Sequence, residues 1–247
     1  MNLIIDIGNT SIKAAIYKNG TLIKKGILND ISLKSVESFL GKTVAEKAII
    51  SSVAADPSGL ISILSAKTGN VHNLTWRSRL PFIIKYDTPE TLGVDRLAAA
   101  AGAVLYHPGK NILVIDAGSA ITFDIVAAGV YQGGSISPGM KMRFRALQEY
   151  TGRLPLVEYN DTFTFPGTST VDAISGGVLM GMVFEVDDYV HFFKKKYSTL
   201  VPVITGGDAE ILKVKAGMEI KWYPDLVTDG LNYILDLNSV TKTDEQK

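Results

Sequence analysis

The feature that most constrains the fold of this chain is a short pattern that occurs twice, once in each half. The first copy runs Leu3-Ile4-Ile5-Asp6-Ile7-Gly8-Asn9-Thr10, and the second runs Val114-Ile115-Asp116-Ala117-Gly118-Ser119-Ala120. In both copies an apolar run ends in Asp-x-Gly and small polar residues, and another apolar run follows. This arrangement predicts a strand, a tight turn and a second strand. Its repetition predicts two similar domains that face a shared cleft.

The order of the other predicted elements is also the same in the two halves. Apolar runs and turn signals, among them Asn19-Gly20 and Ala128-Gly129, predict three strands and then alternating helices and strands. We place the two domains at residues 1–108 and 109–247. The order βββαβαβα resembles a ribonuclease H-like unit, so we expect an α/β protein of two tandem ribonuclease H-like domains around a nucleotide cleft. Tandem copies of that unit resemble the superfamily of acetate and sugar kinases, heat-shock ATPases and actin, which is an analogy of fold alone.

The composition excludes several classes of function. Lys plus Arg and Asp plus Glu both number 25, so the formal net charge is zero. A neutral chain is not expected to bind nucleic acid or anionic lipid through a broad basic surface. The absence of cysteine excludes disulfides, a thiol nucleophile and cysteine-based metal sites, and the three histidines fit no metal-binding spacing. No apolar run approaches the roughly 20 residues that span a bilayer, so we expect a soluble, cytoplasmic protein.

The first turn suits the phosphates of a nucleotide. Gly8 lets the backbone approach a phosphate closely, and the turn N–H groups can donate to phosphate oxygens. Lys13 adds a positive charge, and Asp6 can bind a magnesium ion or its waters. An ordinary hairpin uses the same residue types, so it is the second copy that favours phosphate binding. The expected nucleotide-binding segment comprises Asp6, Ile7, Gly8, Asn9, Thr10, Ser11, Ile12 and Lys13.

The second turn differs from the first in its charged residues. Asp116 is a candidate cation ligand, and Ser119 is a candidate hydroxyl donor to the nucleotide. Counting from the aspartate, Phe123 stands where the first copy has lysine. Asp124 either belongs to the same site or faces solvent from its strand.

The segment Gly93-Val94-Asp95-Arg96 leads into a predicted helix. Asp95 can be an N-cap residue only, because carboxylates are favoured at helix starts. The functional alternative is that Asp95 accepts a proton from a substrate hydroxyl as it attacks a terminal phosphate. Arg96 would then bind a substrate carboxylate through two parallel hydrogen bonds.

Two glycine-rich segments follow predicted strands. The first is Gly133-Gly134-Ser135-Ile136-Ser137-Pro138-Gly139, which is either part of the site or a bend with two turns. The second is Thr205-Gly206-Gly207-Asp208, which opens a helix and can lie against an adenine ring or a phosphate.

Taken together, these motifs resemble those of the type III pantothenate kinases, bacterial enzymes that phosphorylate pantothenate in the first step of coenzyme A synthesis. The most discriminating part is the combination of Gly-x-Asp-Arg at 93–96 with Gly-Gly-x-Ile-x-Pro-Gly at 133–139. The resemblance implies ATP with Mg²⁺, and a monovalent cation (K⁺ or NH₄⁺) on Asp116. It also implies that Asp95 is the proton acceptor and that Ser119, where threonine is more common, contacts ATP. The implied pantothenate contacts are Tyr86, Gly93, Val94, Asp95, Arg96 and Thr170, with Thr168 as the alternative to Thr170.

The resemblance further implies a homodimer whose pantothenate site lies near the subunit interface. The predicted helix Thr170–Lys196 is a candidate for the dimer face, because Val178, Met182, Val186 and Val190 recur every four positions. The same stripe can instead belong to the core of one chain.

Two other functions compete with ATP-dependent phosphorylation of pantothenate. Another small-molecule kinase, for example one that acts on a sugar, would share both turns but would not need Gly93–Arg96. A regulatory accessory factor on a degenerate kinase fold would need neither ATP turnover nor the three aspartates Asp6, Asp95 and Asp116, all of which are present. We therefore expect a pantothenate kinase without nucleic-acid or membrane partners.

Overall fold

The computed structural model describes residues 1–68, 70–160 and 162–239. The first half of the chain follows the predicted βββαβαβα order, with a short extra strand and a 3₁₀ turn at Pro89–Thr91 before the last helix. Its elements are β1 Asn2–Ile7, β2 Ile12–Lys18, β3 Thr21–Leu28, α1 Leu33–Leu40, β4 Lys47–Ser52, α2 Ser58–Thr68, β5 Val71–Asn73, β6 Ile83–Ile84 and α3 Val94–Tyr106.

The sheet of the first half has the spatial order β3-β2-β1-β4-β5. Its central strand, β1, is antiparallel to β2 and parallel to β4. Leu3, Ile4 and Ile5 are completely buried. They form a continuous apolar run because a central strand of this kind is covered on both faces. Asp6 directly follows this apolar run and is the next-to-last residue of β1.

The second half repeats the arrangement. Its elements are β7 Asn111–Ala117, β8 Ala120–Ala127, β9 Val130–Pro138, α4 Met140–Glu149, α5 Thr170–Lys196, β10 Leu200–Thr205, α6 Ala209–Lys215, β11 Lys221–Trp222 and α7 Leu226–Ser239. The second sheet has the order β11-β10-β7-β8-β9-β6. If the five strands of each half are numbered along the chain, both sheets have the order 3-2-1-4-5, and β6 is added beside the third strand of the second half. The tandem ribonuclease H-like fold is thus confirmed.

The predicted hairpins have the backbone that a tight two-residue turn requires. Asn19 and Gly20 have φ values of 50° and 77°, and Ala128 and Gly129 have 51° and 74°. Two successive residues of positive φ match the right-handed twist of the flanking strands. The turns join β2 to β3 and β8 to β9.

The chain packs into two compact units. Of the described residues, one unit contains those within 1–109, 126–132 and 225–239, and the other contains those within 110–125 and 133–224. Helix α7, the last element of the second half, therefore packs in the first unit. The expected division of the repeat at residues 108 and 109 stays a prediction, because a duplicated sequence unit and a compact unit need not coincide.

Within the first unit, α3 and α7 cross with their backbones in direct contact. A Cβ atom at Gly230 would lie 1.9 Å from the carbonyl oxygen of Ala98, and one at Gly102 would lie 2.2 Å from that of Leu226. Only glycine fits at this crossing, since any side chain would overlap the neighbouring backbone. The crossing fixes α3, whose first turn carries Asp95.

The apolar stripe of α5 belongs to the core. Val178 is 4% exposed, and Met182, Val186 and Val190 are 0% exposed, all within a single chain. Their interpretation as a dimer face is therefore wrong, because a partner could not reach them. Other side chains of the helix, including Phe184 and Phe192, are exposed.

Neither α5 nor any other helix in the described ranges is long and apolar enough to cross a membrane.

Candidate active site

Three polar side chains form a row across neighbouring strands at the carboxyl end of β1. Asp6 pairs with Lys13 of β2 on one side and with Ser51 of β4 on the other. Directly paired residues of adjacent strands place their side chains on the same face of a sheet. The predicted partners Asp6 and Lys13 are thus neighbours, as the sequence indicated.

Asp6 is a buried carboxylate, with an exposed fraction of 7%. Burial raises its pKa above the ordinary value, the nearby charge of Lys13 and the hydroxyl of Ser51 lower it, and the charge of Asp95 adds to the rise. The ionised form is therefore costly unless positive charge lies nearby. A magnesium ion with its waters would supply such charge, so the residue fits the proposed cation.

Ser51 was not predicted as a site residue. It is completely buried, and its hydroxyl has no hydrogen-bond partner among the described residues. The hydroxyl is close enough to lower the pKa of Asp6 but does not have full hydrogen-bond geometry toward it. The available signal was its position as the first polar residue after Ala48–Ile50, at the carboxyl end of a strand parallel to β1, where α/β proteins commonly bind ligands.

The turn after Asp6 exposes its polar tip. The Gly8 N–H donates to the carbonyl oxygen of Ser11 at 3.1 Å, which closes the turn. Asn9 and Thr10 at the tip are exposed, so their side chains are accessible to a ligand. The turn therefore presents the groups that phosphate binding requires.

Asp95 lies in the first turn of α3, but it is not the N-cap residue. The N-cap is Gly93, and the Asp95 carboxylate accepts a hydrogen bond from the Arg96 N–H at 2.8 Å. The interpretation of Asp95 as an N-cap only is therefore wrong. A Cβ atom at Gly93 would lie 2.5 Å from the Asp95 carboxylate oxygen, so any side chain there would displace it. Arg96 itself is 6% exposed.

Tyr86 is held by the extra strand. The Lys85 N–H donates to the carbonyl oxygen of Tyr131 at 2.9 Å, next to the β6–β9 pairing. The ring of Tyr86 packs against that of Tyr131 with centroids 6.4 Å apart and planes tilted by 58°. Tyr86, Asp6, Lys13 and Asp95 all belong to the first unit.

The second turn is enclosed by two glycines of its own unit. A Cβ atom at Gly206 would lie 2.4 Å from the Ala117 carbonyl oxygen and 2.6 Å from a carboxylate oxygen of Asp116. One at Gly139 would lie 2.3 Å from the Gly118 carbonyl oxygen and 2.5 Å from that of Ser119. Carboxylate and carbonyl oxygens crowd this turn, and these are the ligands that hard cations prefer. The donor set thus fits the monovalent cation expected at Asp116.

The counterpart of Lys13 in the second copy is Thr122, so the assignment of Phe123 was wrong. The Gly118 N–H donates to the carbonyl oxygen of Ala120 at 3.0 Å, which makes the second turn one residue shorter than the first. Continued along the strands, this register places Thr122 opposite Asp116. Phe123 is completely buried, and its ring stacks on Tyr189.

The glycine-rich segments lie beside the second turn and its strand. Gly134 is inside β9, and a Cβ atom there would lie 2.1 Å from the Phe123 carbonyl oxygen, so this segment is a close strand contact instead of a bend. Asp124 is 1% exposed, which overturns its solvent-facing interpretation.

The second glycine-rich segment, residues 205–208, contacts the same turn, because the Asp208 N–H donates to the carbonyl oxygen of Ala117 at 2.9 Å. Burial raises the pKa of Asp208, while Lys141 and the Met140 N–H lower it.

Thr170 is the first residue of α5, and its side chain is exposed. The helix is capped by Ser169, whose hydroxyl accepts from the Asp172 N–H at 3.1 Å. Thr168, just before the cap, is exposed as well. Both threonines are therefore accessible, and the choice of Thr170 for the pantothenate pocket stays a prediction.

No cluster of three or more histidine, aspartate or glutamate side chains suited to a metal ion occurs in the described part of the chain. Magnesium is commonly held by one or two carboxylates together with substrate phosphates, which requires no such cluster.

Comparison with known proteins decides the family. The model of the type III pantothenate kinase family matches residues 2–191. The chain belongs to the type III pantothenate kinase family. A type III pantothenate kinase of Bacteroides fragilis strain YCH46 is 41% identical over 240 residues, covering 97% of this chain and 99% of its own. Another of Christiangramia forsetii is 39% identical over 241 residues, covering 96% and 99%.

A solved structure agrees with the fold of this chain. A Campylobacter jejuni protein named for the Baf family of transcriptional activators has a TM-score of 0.61 at 26% identity, covering 96% of this chain and 98% of its own.

Proposed function

We propose that this protein transfers the γ-phosphoryl group of ATP to the primary hydroxyl of pantothenate, with Asp95 as the proton acceptor. The supporting observation is the position of Asp95. Gly93 leaves room for the Asp95 carboxylate in the first turn of α3. The negative charge of Asp95 raises the pKa of the buried Asp6. In a chain of the type III pantothenate kinase family, a carboxylate in the first turn of a helix and within electrostatic range of Asp6 suits general-base catalysis of phosphoryl transfer.

The Asp6–Lys13 turn would bind the phosphates of ATP. Its exposed tip carries the polar side chains of Asn9 and Thr10, and the Lys13 ammonium stabilises negative charge on the transferred phosphoryl group. Mg²⁺, when bound, neutralises charge on the phosphate oxygens. Asp6 holds that ion or its waters, which offsets the cost of its own burial.

Pantothenate would be held by residues around Asp95. Arg96 binds the carboxylate of the substrate, and Tyr86, which is held in place by β6 and Tyr131, contacts it as well. Thr170, the exposed first residue of α5, stays a separate candidate for a pantothenate contact. In this arrangement the hydroxyl to be phosphorylated lies near Asp95, which takes its proton as the oxygen attacks the γ-phosphorus.

Asp116 would bind the monovalent cation, K⁺ or NH₄⁺, and Ser119 would contact ATP. The crowding of Asp116 and neighbouring carbonyl oxygens against Gly206 and Gly139 supports this assignment.

We further propose a homodimer, with the pantothenate site near the interface. The buried stripe of α5 is unavailable, so the candidate face consists of exposed residues of the same helix, including Phe184 and Phe192, which are 52% and 62% exposed. Both side chains are large, apolar and accessible, so they are available for a contact with a second copy of the chain.

The Asp95→Asn variant tests the proposed mechanism. It keeps the size and the hydrogen-bond acceptor but cannot take a proton. We expect pantothenate to bind as it does to wild type, while kcat falls about 10²- to 10⁴-fold. Asp236→Asn, which changes an exposed carboxylate of α7, is the control and should leave kcat unchanged. If Asp95→Asn kept a kcat near that of wild type, another group would have to accept the proton.

A further inference from the structure

A buried hydroxyl next to Asp6 has no role in the mechanism described so far. Ser51 is 0% exposed, and its Oγ lacks a hydrogen-bond partner among the described residues. Such a hydroxyl has lost its water without replacement, which costs stability. Buried polar groups are nearly always hydrogen-bonded, so each exception requires an explanation.

The position of Ser51 suggests the explanation. It pairs with Asp6 in the parallel β1–β4 register and shares its face of the sheet, on the side opposite Lys13. Its neighbour Ser52 faces the other way, and the Ser52 hydroxyl is satisfied because it donates to the carbonyl oxygen of Ala55 at 2.5 Å. Of these two adjacent serines, only Ser51 has its hydroxyl on the same face of the sheet as Asp6.

We propose that Ser51 is a positioning residue whose hydroxyl donates a hydrogen bond to the Asp6 carboxylate when Mg–ATP binds. A rotation about the side-chain bond of Ser51 is the change that would aim its hydroxyl at the carboxylate. The bond would hold one oxygen of Asp6, so that the other faces the ion or its waters. Groups that orient a metal-binding carboxylate act in this way in many metal sites. The proposal depends on the proposed function, in which Asp6 takes part in binding Mg–ATP.

A pair of matched variants separates this role from a structural one. Ser51→Ala removes an unsatisfied hydroxyl, so its unfolding temperature should equal or exceed that of wild type, whereas its affinity for Mg–nucleotide should fall about tenfold. Ser52→Ala removes a satisfied hydroxyl, so it should lower the unfolding temperature and leave the affinity unchanged. The Michaelis constant for pantothenate should be unchanged in Ser51→Ala.

The decisive experiment is calorimetric titration with a non-hydrolysable ATP analogue and Mg²⁺, using wild type, Ser51→Ala, Asp6→Asn and the double variant. If Ser51 acts through Asp6, Ser51→Ala should have no further effect in the Asp6→Asn background, because the two changes are coupled. Wild-type affinity in Ser51→Ala, an equal loss in both backgrounds, or a lowered unfolding temperature would each overturn the proposal. A wild-type protein that binds no Mg–nucleotide would instead refute the proposed function, and this proposal with it.

Discussion

Replacing Gly206 by alanine tests whether the second turn depends on the absence of a side chain after β10. Gly206 has φ of +98°, a conformation that residues with a Cβ rarely adopt. The added Cβ atom would lie 2.4 Å from the Ala117 carbonyl oxygen and 2.6 Å from a carboxylate oxygen of Asp116. The substitution therefore strains the backbone and displaces the candidate cation ligand at once.

The expected loss of stability follows from these two contributions. The left-handed conformation costs about 1–2 kcal/mol for a residue with a Cβ. Crowding in a packed site adds about 1–3 kcal/mol, so the total is about 2–5 kcal/mol. Gly20→Ala is the matched control, because φ there is +77° and no described atom lies within 4 Å of the new Cβ. The gain from stiffening the unfolded chain is common to both variants and cancels in the comparison.

Urea denaturation of the two variants measures the difference. We expect Gly206→Ala to lose at least about 1 kcal/mol more than Gly20→Ala, which is the lower bound of the crowding cost. We also expect the Gly206→Ala enzyme to need more K⁺ for half-maximal activity, since Asp116 must move. Equal stability losses in the two variants would refute the argument that Gly206 packs against the turn.

Two further predictions concern the first unit. Gly230→Ala at the α3–α7 crossing should lower the free energy of unfolding by about 3 kcal/mol or more, because its Cβ would lie 1.9 Å from the Ala98 carbonyl oxygen. The control is Gly59→Ala in α2, where no described atom lies within 4 Å of the new Cβ, and it should raise the free energy of unfolding by up to about 1 kcal/mol in the same denaturation assay. Similar values for the two variants would contradict the close helix crossing. Asp6→Asn should abolish turnover yet raise the unfolding temperature at neutral pH. The folded-state pKa of Asp6 lies above the unfolded value of 3.8. Wild type therefore loses stability as the pH rises from the unfolded pKa through the folded-state pKa. The advantage of Asp6→Asn should therefore disappear below the unfolded pKa, and a variant less stable than wild type in thermal scans at pH 7 would contradict it.

Much of the fold followed from the sequence because its signals are local. Apolar runs and turn residues predicted the order of strands and helices along both halves of the chain. The periodicity and flanking residues of α5 predicted the bounds Thr170–Lys196 that the structure has. The strand β6 was missed because two residues carry no periodicity, and its existence depends on pairing with β9 far along the chain. The contact of Gly102 and Gly230 likewise depends on a crossing of two helices that neither helix encodes alone.

The candidate site was predictable where one segment contains both the motif and its geometry. Asp6 and Lys13 pair across a single hairpin, and Gly93 adjoins the carboxylate that it accommodates. The position of Ser51 next to Asp6 was missed because it depends on the register between β1 and β4. The assignment of Phe123 failed because residue counting assumed equal turns, while the second turn is one residue shorter.

The central claim is that this protein is an ATP-dependent pantothenate kinase, and the most direct test is ADP release by the purified protein. The assay is run with pantothenate, with a panel of sugars and with no acceptor, each with Mg²⁺ and with or without K⁺. We predict ADP release with pantothenate alone among these acceptors, in equal amount to the phosphopantothenate formed, and stimulated by K⁺. ADP release that depends on a sugar, or no acceptor-dependent release at all, would contradict the account.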